Sequence, residues 1–364
     1  MERVELNNVI IVIPSLDPDD NMRIYVRALI KAGCSKILLV NDGSKEELLY
    51  HYQQLLEAFP EQITCVRHHV NEGKGRALKT AFHYVLNTYS KGEVVGVVTA
   101  DADGQHGVED TIHVAEELVK SNRVVLGCRD FNQSNVPPKS RHGNKITTNV
   151  FGLLYGKRVS DTQTGLRGIP YDQLARLITL KGERFEYEIN TLIDAVSSKQ
   201  EIIECPIETI YYDSNRATHF NAVRDSLRIY SVIFKQFFLF TCSGLTSFVV
   251  DIALFSFIIL CFDLTTNSNV AIYISTSIAR ILSSMVNLMM NRNIVFKTDK
   301  ANKNVIAKYY TLCVAQFLLS AFLVAKVYSM TIIFVSLVKI IIDTLLFLVS
   351  FQIQQRWVFK GGKE

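Results

Sequence analysis

The chain has 364 residues, of which 48% are hydrophobic, and its formal net charge at pH 7 is +4. So small a net charge gives no support to a nucleic-acid-binding function, and the length is sufficient for two domains. The residues before about position 230 have the composition of a soluble α/β protein, whereas those after about position 235 have that of a membrane protein. The N-terminus lacks a basic region followed by an apolar core, so we expect no signal peptide.

The first part of the chain alternates between short apolar runs and segments with helical spacing. The predicted elements, in chain order, are strand Val9–Ile13, helix Met22–Ala32, strand Lys36–Val40, helix Glu46–Phe59, strand Thr64–Arg67, helix Lys74–Leu86 and strand Val94–Val98. Pro14 is expected to end the first strand, and Gly33 the first helix. This alternation predicts a mostly parallel sheet with helices on both faces.

Polar segments follow the predicted strands. They are Pro14–Asp17, Asn41–Ser44, Asn71–Gly75 and Asp101–Gln105. Because ligands bind at the carboxyl ends of the strands in parallel sheets, the four segments should face one crevice. We therefore predict a single ligand site at this edge of the sheet.

Two carboxylates, Asp101 and Asp103, stand directly after the strand Val94–Val98. Two uncompensated charges are costly to bury at a strand end. A hard cation such as Mg²⁺ or Mn²⁺ compensates them, because it prefers carboxylate oxygens and shares its coordination shell with phosphate. The alternative is an exposed acidic turn in which Asp103 caps the next helix. In the context of the other polar segments, the pattern favours a metal–diphosphate site and nucleotide chemistry.

Basic residues in two places are candidate phosphate ligands. Lys74 stands between Gly73 and Gly75, where the backbone can approach a ligand closely. The stretch Val136–Gly156 begins with basic residues and continues with apolar ones. This pattern predicts an amphipathic helix lying at the membrane surface.

The second part of the chain contains four apolar segments long enough to span a bilayer. They are Phe237–Phe262, Val270–Met290, Val305–Val327 and Thr331–Ile353. An amphipathic segment, 221–236, precedes them. The alternative, buried helices of a large soluble core, is disfavoured by four such runs in succession.

The distribution of basic residues between the spans predicts the orientation of the protein. The link between the first two spans, Asp263–Asn269, has no Lys or Arg. The second link and the C-terminal tail carry Arg292, Lys297, Lys300, Lys303, Lys308, Arg356, Lys360 and Lys363. By the positive-inside rule, that link, both termini and the first domain are expected in the cytoplasm.

Charged residues within the predicted spans need partners, because an isolated charge is costly in a bilayer. We expect Asp251 to pair with Arg280, and Lys339 to pair with Asp343 four residues along the same helix.

Six motifs occur in order over the first 220 or so residues. They are Ile13-Pro14-Ser15, Val40-Asn41-Asp42-Gly43-Ser44, Asn71-Glu72-Gly73-Lys74-Gly75, Asp101-Ala102-Asp103-Gly104-Gln105, Gly127-Cys128-Arg129 and Asp161-Thr162-Gln163-Thr164-Gly165-Leu166-Arg167. With them the chain resembles family 2 glycosyltransferases of the GT-A fold, and among these the polyprenyl-phosphate glycosyltransferases of the dolichyl-phosphate mannose synthase type. The membrane part resembles GtrA-like domains, especially at Arg280–Phe296.

The resemblance implies an α/β GT-A catalytic domain, Rossmann-like and with a mostly parallel sheet, over residues 1–220. It further implies an interface helix over 221–236 and an all-α, GtrA-like domain of four transmembrane helices over 237–356. The expected protein is an integral membrane enzyme that contacts membrane lipids and no nucleic acid. A homo-oligomer is compatible with this organisation.

On the donor side, the resemblance implies contacts with a nucleotide sugar. The implied residues are Pro14, Ser15, Asp17, Asp42, Gly73, Lys74, Asp101, Ala102 and Asp103. Asp101, Asp103 and Gln105 would hold Mg²⁺ or Mn²⁺ on the donor diphosphate, where the cation acts as a Lewis acid. The loop Leu16–Asp20 lacks the aromatic residue usual there, which leaves the base open. A UDP-sugar is favoured, because chains with a fused GtrA-like domain commonly use one, and GDP-mannose is the alternative.

On the acceptor side, the resemblance implies that basic residues meet the phosphate of a polyprenyl phosphate, which suits guanidinium groups. The implied residues are Arg129, Arg141, Arg167, Arg216 and His219. Asp101, Asp103, Arg129, Asp161 and Gln163 form the implied catalytic set, and Glu186 and Glu188 lie on the same side. A sugar hydroxyl acceptor needs a base, whereas a polyprenyl phosphate is already anionic.

The expected reaction is metal-dependent, inverting transfer of a sugar to undecaprenyl or dolichyl phosphate at the cytoplasmic face, yielding a lipid-linked sugar for cell-envelope glycans. One alternative is transfer to another membrane or polysaccharide acceptor. The other is a lipid-linked-sugar translocation or scaffold protein with an inactive first domain, against which the intact Asp101 and Asp103 argue.

Overall fold

The computed structural model describes residues 6–133, 136, 138–208, 224–261, 268–298, 304–330 and 334–359. The chain divides into two compact units, Met1–Ile233 and Phe234–Glu364.

The first unit is built on a seven-stranded sheet. Its strands are β1 Val9–Ser15, β2 Ile37–Asn41, β3 Ile63–Arg67, β4 Gly96–Thr99, β5 Val124–Arg129, β6 Arg167–Pro170 and β7 Ile202–Ile207. The spatial order is β3-β2-β1-β4-β6-β5-β7. Every pairing is parallel except those of β6, which runs antiparallel to both β4 and β5. The mostly parallel sheet of the GT-A fold is thereby confirmed.

Helices connect the strands. They are α1 Asp20–Lys31, α2 Tyr50–Ala58, α3 Lys74–Thr88, α4 Val108–Ser121, α5 Pro138–Tyr155, α6 Tyr171–Ile178 and α7 Glu186–Ser197. A short 3₁₀ turn, Glu46–Leu48, precedes α2. The helix predicted over 46–59 therefore begins later than expected.

Strands β1, β2 and β4 are buried on both faces, which explains why they are nearly continuous apolar runs rather than alternating ones. From β1, Ile11 and Ile13 belong to one core cluster, which also contains Leu118 of α4. Ile10 and Val12 belong to a second cluster, which also contains Phe82 of α3. Successive residues of a strand point to opposite faces, so helices cover both faces, as the alternation predicted.

Pro14 does not end the first strand, because β1 continues to Ser15. The pairing of β1 with β4 stops at Val12 and Thr99, whereas its pairing with β2 continues through Pro14 and Ser15. Pro14 thus occupies a position where β1 has only one neighbouring strand, which is where a residue without an N–H is tolerated.

The helices of the remaining described chain are α8 Arg224–Cys261, α9 Ser268–Met290, α10 Val305–Tyr328 and α11 Val335–Ile353. Single π-helical turns, Asn291–Val295 and Gln354–Val358, continue α9 and α11. Among the residues that the structure describes, four helices are long and apolar enough to cross a membrane. Residues 224–236 and 237–261 of the two predicted segments belong to the single helix α8, whose sequence contains no proline to interrupt it. Residues 221–223 and 262 of those predictions lie outside the described residues.

Several charged and polar side chains of the second unit contact one another. Arg280 lies 3.5 Å from Asp251, and Lys339 lies 2.8 Å from Asp343, which confirms both predicted pairs. The buried Asn291 donates a hydrogen bond to Gln354 and accepts one from Ser243. Buried amides need such partners within a bilayer, so these bonds are expected to join α8 to the turns that continue α9 and α11.

The packing of α3 onto the sheet can be tested at Phe82, which is 1% exposed. We expect Phe82→Ala to destabilise the protein by about 3–5 kcal/mol, because the truncation removes apolar contacts and leaves a cavity. The matched control is Ile24→Ala, since Ile24 is 66% exposed. This substitution should lower the free energy of unfolding by no more than about 0.5 kcal/mol. Melting temperatures of the two purified variants give the comparison, and equal values would contradict this account of the core.

Candidate active site

The first polar segment begins at the carboxyl end of β1. Pro14 and Ser15 are the last two residues of that strand. The buried Ser15 hydroxyl shares a 2.8 Å hydrogen bond with the hydroxyl of Tyr52, which also shares one with Ser44. Burial raises the pKa of Tyr52 to about 12 despite these bonds. The Ser15 side chain is therefore turned into the protein and joins two of the predicted segments.

Backbone hydrogen bonds hold these two segments together. The amide of Asp42 donates to the carbonyl of Ser15 at 2.9 Å. Asp17, which has a left-handed φ of 45°, donates its amide to Ser44 and accepts a bond from the amide of Lys45. The loops after β1 and β2 thus form one joined surface, and the Asp17 carboxylate is part of the joint.

Asp42 is buried, and its carboxylate holds the third segment. One oxygen accepts from the amide of Glu72 and lies 2.8 Å from Nδ1 of His68, while the other accepts from the amide of Gly73. The second ring nitrogen of His68 lies 2.9 Å from the hydroxyl of Thr80. Both Asp42 oxygens are therefore engaged in shaping the loop that leads into α3.

Gly73 ends that loop with a φ of +104°, and an added Cβ would lie 2.4 Å from the carbonyl oxygen of Glu183. Both constraints require glycine at this position. The close approach brings the chain before α7 against the start of α3, where the amide of Arg76 donates to the same carbonyl. The next residue, Lys74, is thereby directed into the site from a fixed backbone.

Lys74 lies between two carboxylates. Its Nζ is 2.5 Å from Oδ1 of Asp101 and 3.0 Å from Oε1 of Glu188. Burial by itself lowers the pKa of Lys74, but the charges of Asp101 and Glu188 outweigh it and hold that pKa above its usual value. The ammonium group is therefore charged in this site and compensates both acids.

Asp101 follows β4 and is enclosed by its neighbours. Its second oxygen, Oδ2, lies 3.3 Å from Nε2 of the buried His106. An added Cβ on Gly165 would lie 2.4 Å from Oδ2, and the Gly165 carbonyl accepts a bond from the Thr99 hydroxyl. Burial would raise the pKa of Asp101, but the Lys74 charge and the His106 hydrogen bond hold it well below its usual range.

Asp103 completes the acidic turn, with Ala102 between the two acids. One of its oxygens accepts a 3.0 Å bond from the amide of Gln105. Burial, followed by the negative charge of Asp101, raises the pKa of Asp103 above its usual value. A divalent cation would relieve this repulsion, and carboxylate and amide oxygens are ligands that Mg²⁺ and Mn²⁺ accept. The residues present therefore fit the predicted cation.

No three His, Cys, Asp or Glu side chains are grouped as metal ligands among the residues that the structure describes. A cation held by Asp101, Asp103 and Gln105 would complete its shell with phosphate oxygens and water, as Mg²⁺ usually does.

A second ion pair lies at the end of β5. Arg129 Nε donates to Asp161 at 2.7 Å and a terminal guanidinium nitrogen donates to the other carboxylate oxygen at 3.2 Å. Asp161 is fully buried, and it also accepts from the amide of Gln163, whose side chain is exposed. The guanidinium of Arg129 lies over the ring of Phe131. Arg129, Asp161 and Gln163 thus lie together at the end of β5.

The other predicted phosphate ligands are placed differently. Arg141 donates to the carbonyls of Phe131 and Gln133. Arg167 is 4% exposed and donates to the carbonyls of Thr164 and Glu188. Its guanidinium also donates to the hydroxyl of Thr191, so the described contacts of Arg167 lie within the protein. Arg216 and His219 lie outside the described residues.

The sequence alone indicated no partner for His68, His106 or Glu188. Both histidines follow a strand of the sheet: His68 stands directly after β3, and His106 follows β4 within the acidic turn. Their positions at the carboxyl ends of strands were the available signal. No local pattern links Glu188 to Lys74, since the two are far apart in the chain.

The buried ion pair at β5 generates a stability prediction. We expect Asp161→Asn to destabilise the protein by about 3 kcal/mol, because it removes one partner of a buried pair. Asp172→Asn is the control, since Asp172 pairs with Lys91 at the surface. It should lower the free energy of unfolding by less than about 1 kcal/mol. The measurement is the melting temperature of each purified variant. An equal melting temperature for both would show that burial adds nothing to the Arg129–Asp161 pair.

Comparison with known proteins identifies the domain that carries this site. Residues 10–174 match the Glycosyl transferase family 2 model. A UDP-N-acetylglucosamine–dolichyl-phosphate N-acetylglucosaminyltransferase of Methanococcus voltae is 29% identical over 232 residues, covering 59% of this chain and 90% of the relative. An uncharacterized protein of Methanocaldococcus jannaschii is 26% identical over 243 residues, covering 65% of this chain and 96% of the relative.

Among solved structures, GalNAc-T7 with UDP, GalNAc and Mn²⁺ is similar with a TM-score of 0.40 at 13% sequence identity. The match covers 63% of this chain and 48% of that protein, so the chain spans about half of its length. The family match and the mostly parallel sheet lead to the same conclusion. The first unit carries a glycosyl transferase family 2 domain of the GT-A fold, and the chain is a glycosyltransferase.

Proposed function

We propose that this chain transfers a sugar from a nucleotide-sugar donor to a polyprenyl phosphate, such as undecaprenyl or dolichyl phosphate. One observation carries the proposal: the acidic turn with Asp101 and Asp103 and the ammonium of Lys74 meet at the carboxyl end of the sheet of a family 2 glycosyltransferase domain. That set offers a cation site and a positive charge for a diphosphate. The named relative from Methanococcus voltae supports the acceptor class and a UDP-sugar donor, with GDP-mannose as the alternative.

The donor would bind along the joined loops after β1, β2 and β3, beside the acidic turn after β4. Lys74 would meet the diphosphate from the N-terminus of α3, where the helix dipole also favours an anion. Asp17 and Asp42 shape the loops that would receive the nucleoside. Because hydrogen bonds already fix these loops, little ordering is required when the donor binds.

Mg²⁺ or Mn²⁺ held by Asp101, Asp103 and Gln105 would neutralise the charge that develops on the departing nucleoside diphosphate. The protein's own groups assist in fixed positions. Lys74 places a positive charge beside the same turn, and His106 together with Gly165 keeps the Asp101 carboxylate in one orientation. Such preorganised charges lower a barrier without reorganising during the reaction.

The acceptor would react through its phosphate. An acceptor phosphate oxygen forms a bond to the anomeric carbon while the bond from that carbon to the diphosphate breaks, which inverts the configuration. Arg129 is the proposed phosphate ligand, held in place by Asp161 and supported by Gln163. An anionic phosphate is already nucleophilic, so Asp161 is free to orient the arginine rather than to remove a proton.

Helix α5 supports docking of this unit at a membrane surface. Ile146 and Leu153 of α5 are more than half exposed. The same helix is attached to the beginning of α8, because Thr147 shares a 3.0 Å hydrogen bond with Tyr230. An amphipathic helix with exposed apolar residues is suited to lie at the lipid headgroups. We therefore propose that α5 and the start of α8 keep the reaction at the bilayer surface.

The four apolar helices and the basic residues between them support an integral membrane protein with the catalytic domain and both termini in the cytoplasm. The product would be a lipid-linked sugar for modification of cell-envelope glycans. The second unit, proposed to be GtrA-like, would anchor the enzyme.

A specific observation also favours a second role, movement of lipid-linked sugars. A cleft of about 450 Å³ within the second unit is lined by Asn287, Tyr309, Gln316, Lys339 and Asp343. Polar groups of this kind are rare in membrane-spanning helices and often mark a pathway or a binding site. This role and a different sugar acceptor are the outcomes to consider if the transfer assay fails.

The proposed reaction predicts lipid-dependent release of nucleoside diphosphate. The assay supplies Mn²⁺, undecaprenyl phosphate and a panel of UDP- and GDP-sugars. We expect release with one donor, and a loss of about 10²-fold or more in Asp103→Asn, because a preorganised charge at the leaving group is lost. Asp172→Asn is the control, since Asp172 pairs with Lys91 at the surface. Full activity of Asp103→Asn would contradict the cation site, and no release from folded protein would favour the alternatives.

The proposed role of Arg129 predicts a separate effect, on the KM for the acceptor. We expect Arg129→Met to raise the KM for polyprenyl phosphate by roughly 10- to 100-fold, because it removes a charge-assisted contact worth about 1.5–3 kcal/mol. The KM for the nucleotide sugar should change little. The control is Arg123→Met, since Arg123 pairs with Glu201 on the surface. An unchanged lipid KM, with folding verified by circular dichroism, would exclude Arg129 as a phosphate ligand.

A further inference from the structure

Lys74 contacts the same carboxylate that the proposed function assigns to the cation. Its Nζ lies 2.5 Å from Asp101, and the two side chains are only 16% and 29% exposed. Two cations on one poorly solvated carboxylate repel each other strongly. Asp101 therefore cannot hold the ammonium and a divalent cation together at full strength.

Glu188 provides a second position for the ammonium. Its carboxylate lies 3.0 Å from Nζ of Lys74 and is 10% exposed. Glu188 belongs to α7, and its carbonyl accepts a 2.7 Å bond from the buried Arg167, which also donates to Thr191 on the same helix. Glu188 is thus held on a rigid element and stays in place when Asp101 changes its partner.

We propose that Lys74 is a resident competing cation: it neutralises Asp101 in the free enzyme and shifts to Glu188 and the donor diphosphate when metal and nucleotide bind. The inference rests on the proposed cation and nucleotide site. Its consequence is thermodynamic coupling. The free enzyme binds the metal weakly, the diphosphate draws Lys74 away, and each ligand raises the affinity for the other by the same factor.

The test measures Mn²⁺ binding rather than turnover, using electron paramagnetic resonance of free Mn²⁺ with the full-length protein in detergent. Without nucleotide, we expect Lys74→Met to bind Mn²⁺ roughly tenfold more tightly than the unsubstituted protein, because the competing charge is gone. Lys74→Arg keeps the charge and should bind no more tightly. Lys91→Met is the matched control, since it removes one positive charge from a surface pair of the same unit, and should leave the affinity unchanged.

The coupling itself gives the second measurement. UDP should raise the Mn²⁺ affinity several-fold less in Lys74→Met than in the unsubstituted protein, since displacement of the lysine no longer contributes. If Lys74→Met does not fold, Glu188→Gln provides the readout. Of the two carboxylates that contact Lys74 in the described part of the chain, only Asp101 then remains, so Mn²⁺ should bind more weakly. An unchanged affinity would overturn the inference.

Equal or weaker Mn²⁺ binding by folded Lys74→Met overturns the inference, and so does the absence of Mn²⁺ binding in every variant. Neither outcome shows whether the protein transfers a sugar to a polyprenyl phosphate. The lipid-dependent release of nucleoside diphosphate tests that reaction separately. Tighter binding and reduced coupling in Lys74→Met support the role of Lys74 even if the acceptor proves not to be a polyprenyl phosphate.

Discussion

The negative charge on Asp101 is the constraint around which the site is organised. It stands after β4 in a poorly solvated position, and an uncompensated carboxylate there would be costly. Lys74 supplies the opposite charge, His106 lies within hydrogen-bonding distance, and Gly165 leaves the space that the carboxylate needs. Each of these groups comes from a different segment of the chain. Keeping one carboxylate in place therefore requires several loops to hold their positions together.

Carboxylates also hold the loops on the donor side in place. Asp42 uses both carboxylate oxygens to hold the loop that ends at Gly73, and Asp17 joins the loops after β1 and β2. A loop fixed in this way presents its backbone without a large loss of entropy on binding. On the other side of the proposed reaction, Arg129 is oriented by the fully buried Asp161. Both sides of the site thus depend on buried carboxylates that accept several hydrogen bonds.

Much of the fold could be predicted because its signals are local. The apolar runs that became β1, β2 and β4 are nearly continuous, since these strands are buried on both faces. The four membrane-length helices were visible from length and composition alone. The antiparallel β6 was not predicted, because it is a four-residue strand whose direction depends on its neighbours β4 and β5. The same limit applies to Arg167, whose burial depends on where that strand is inserted.

The sequence by itself determined the alternation of strands and helices, the acidic turn at Asp101 and Asp103, and the division into a globular and an apolar part. These features follow from periodicity and residue type within short segments. Only the tertiary structure decided that Lys74 meets both Asp101 and Glu188. Such pairs join segments far apart in the chain, and the strand order that brings them together is set by packing of the whole sheet, which no local pattern encodes.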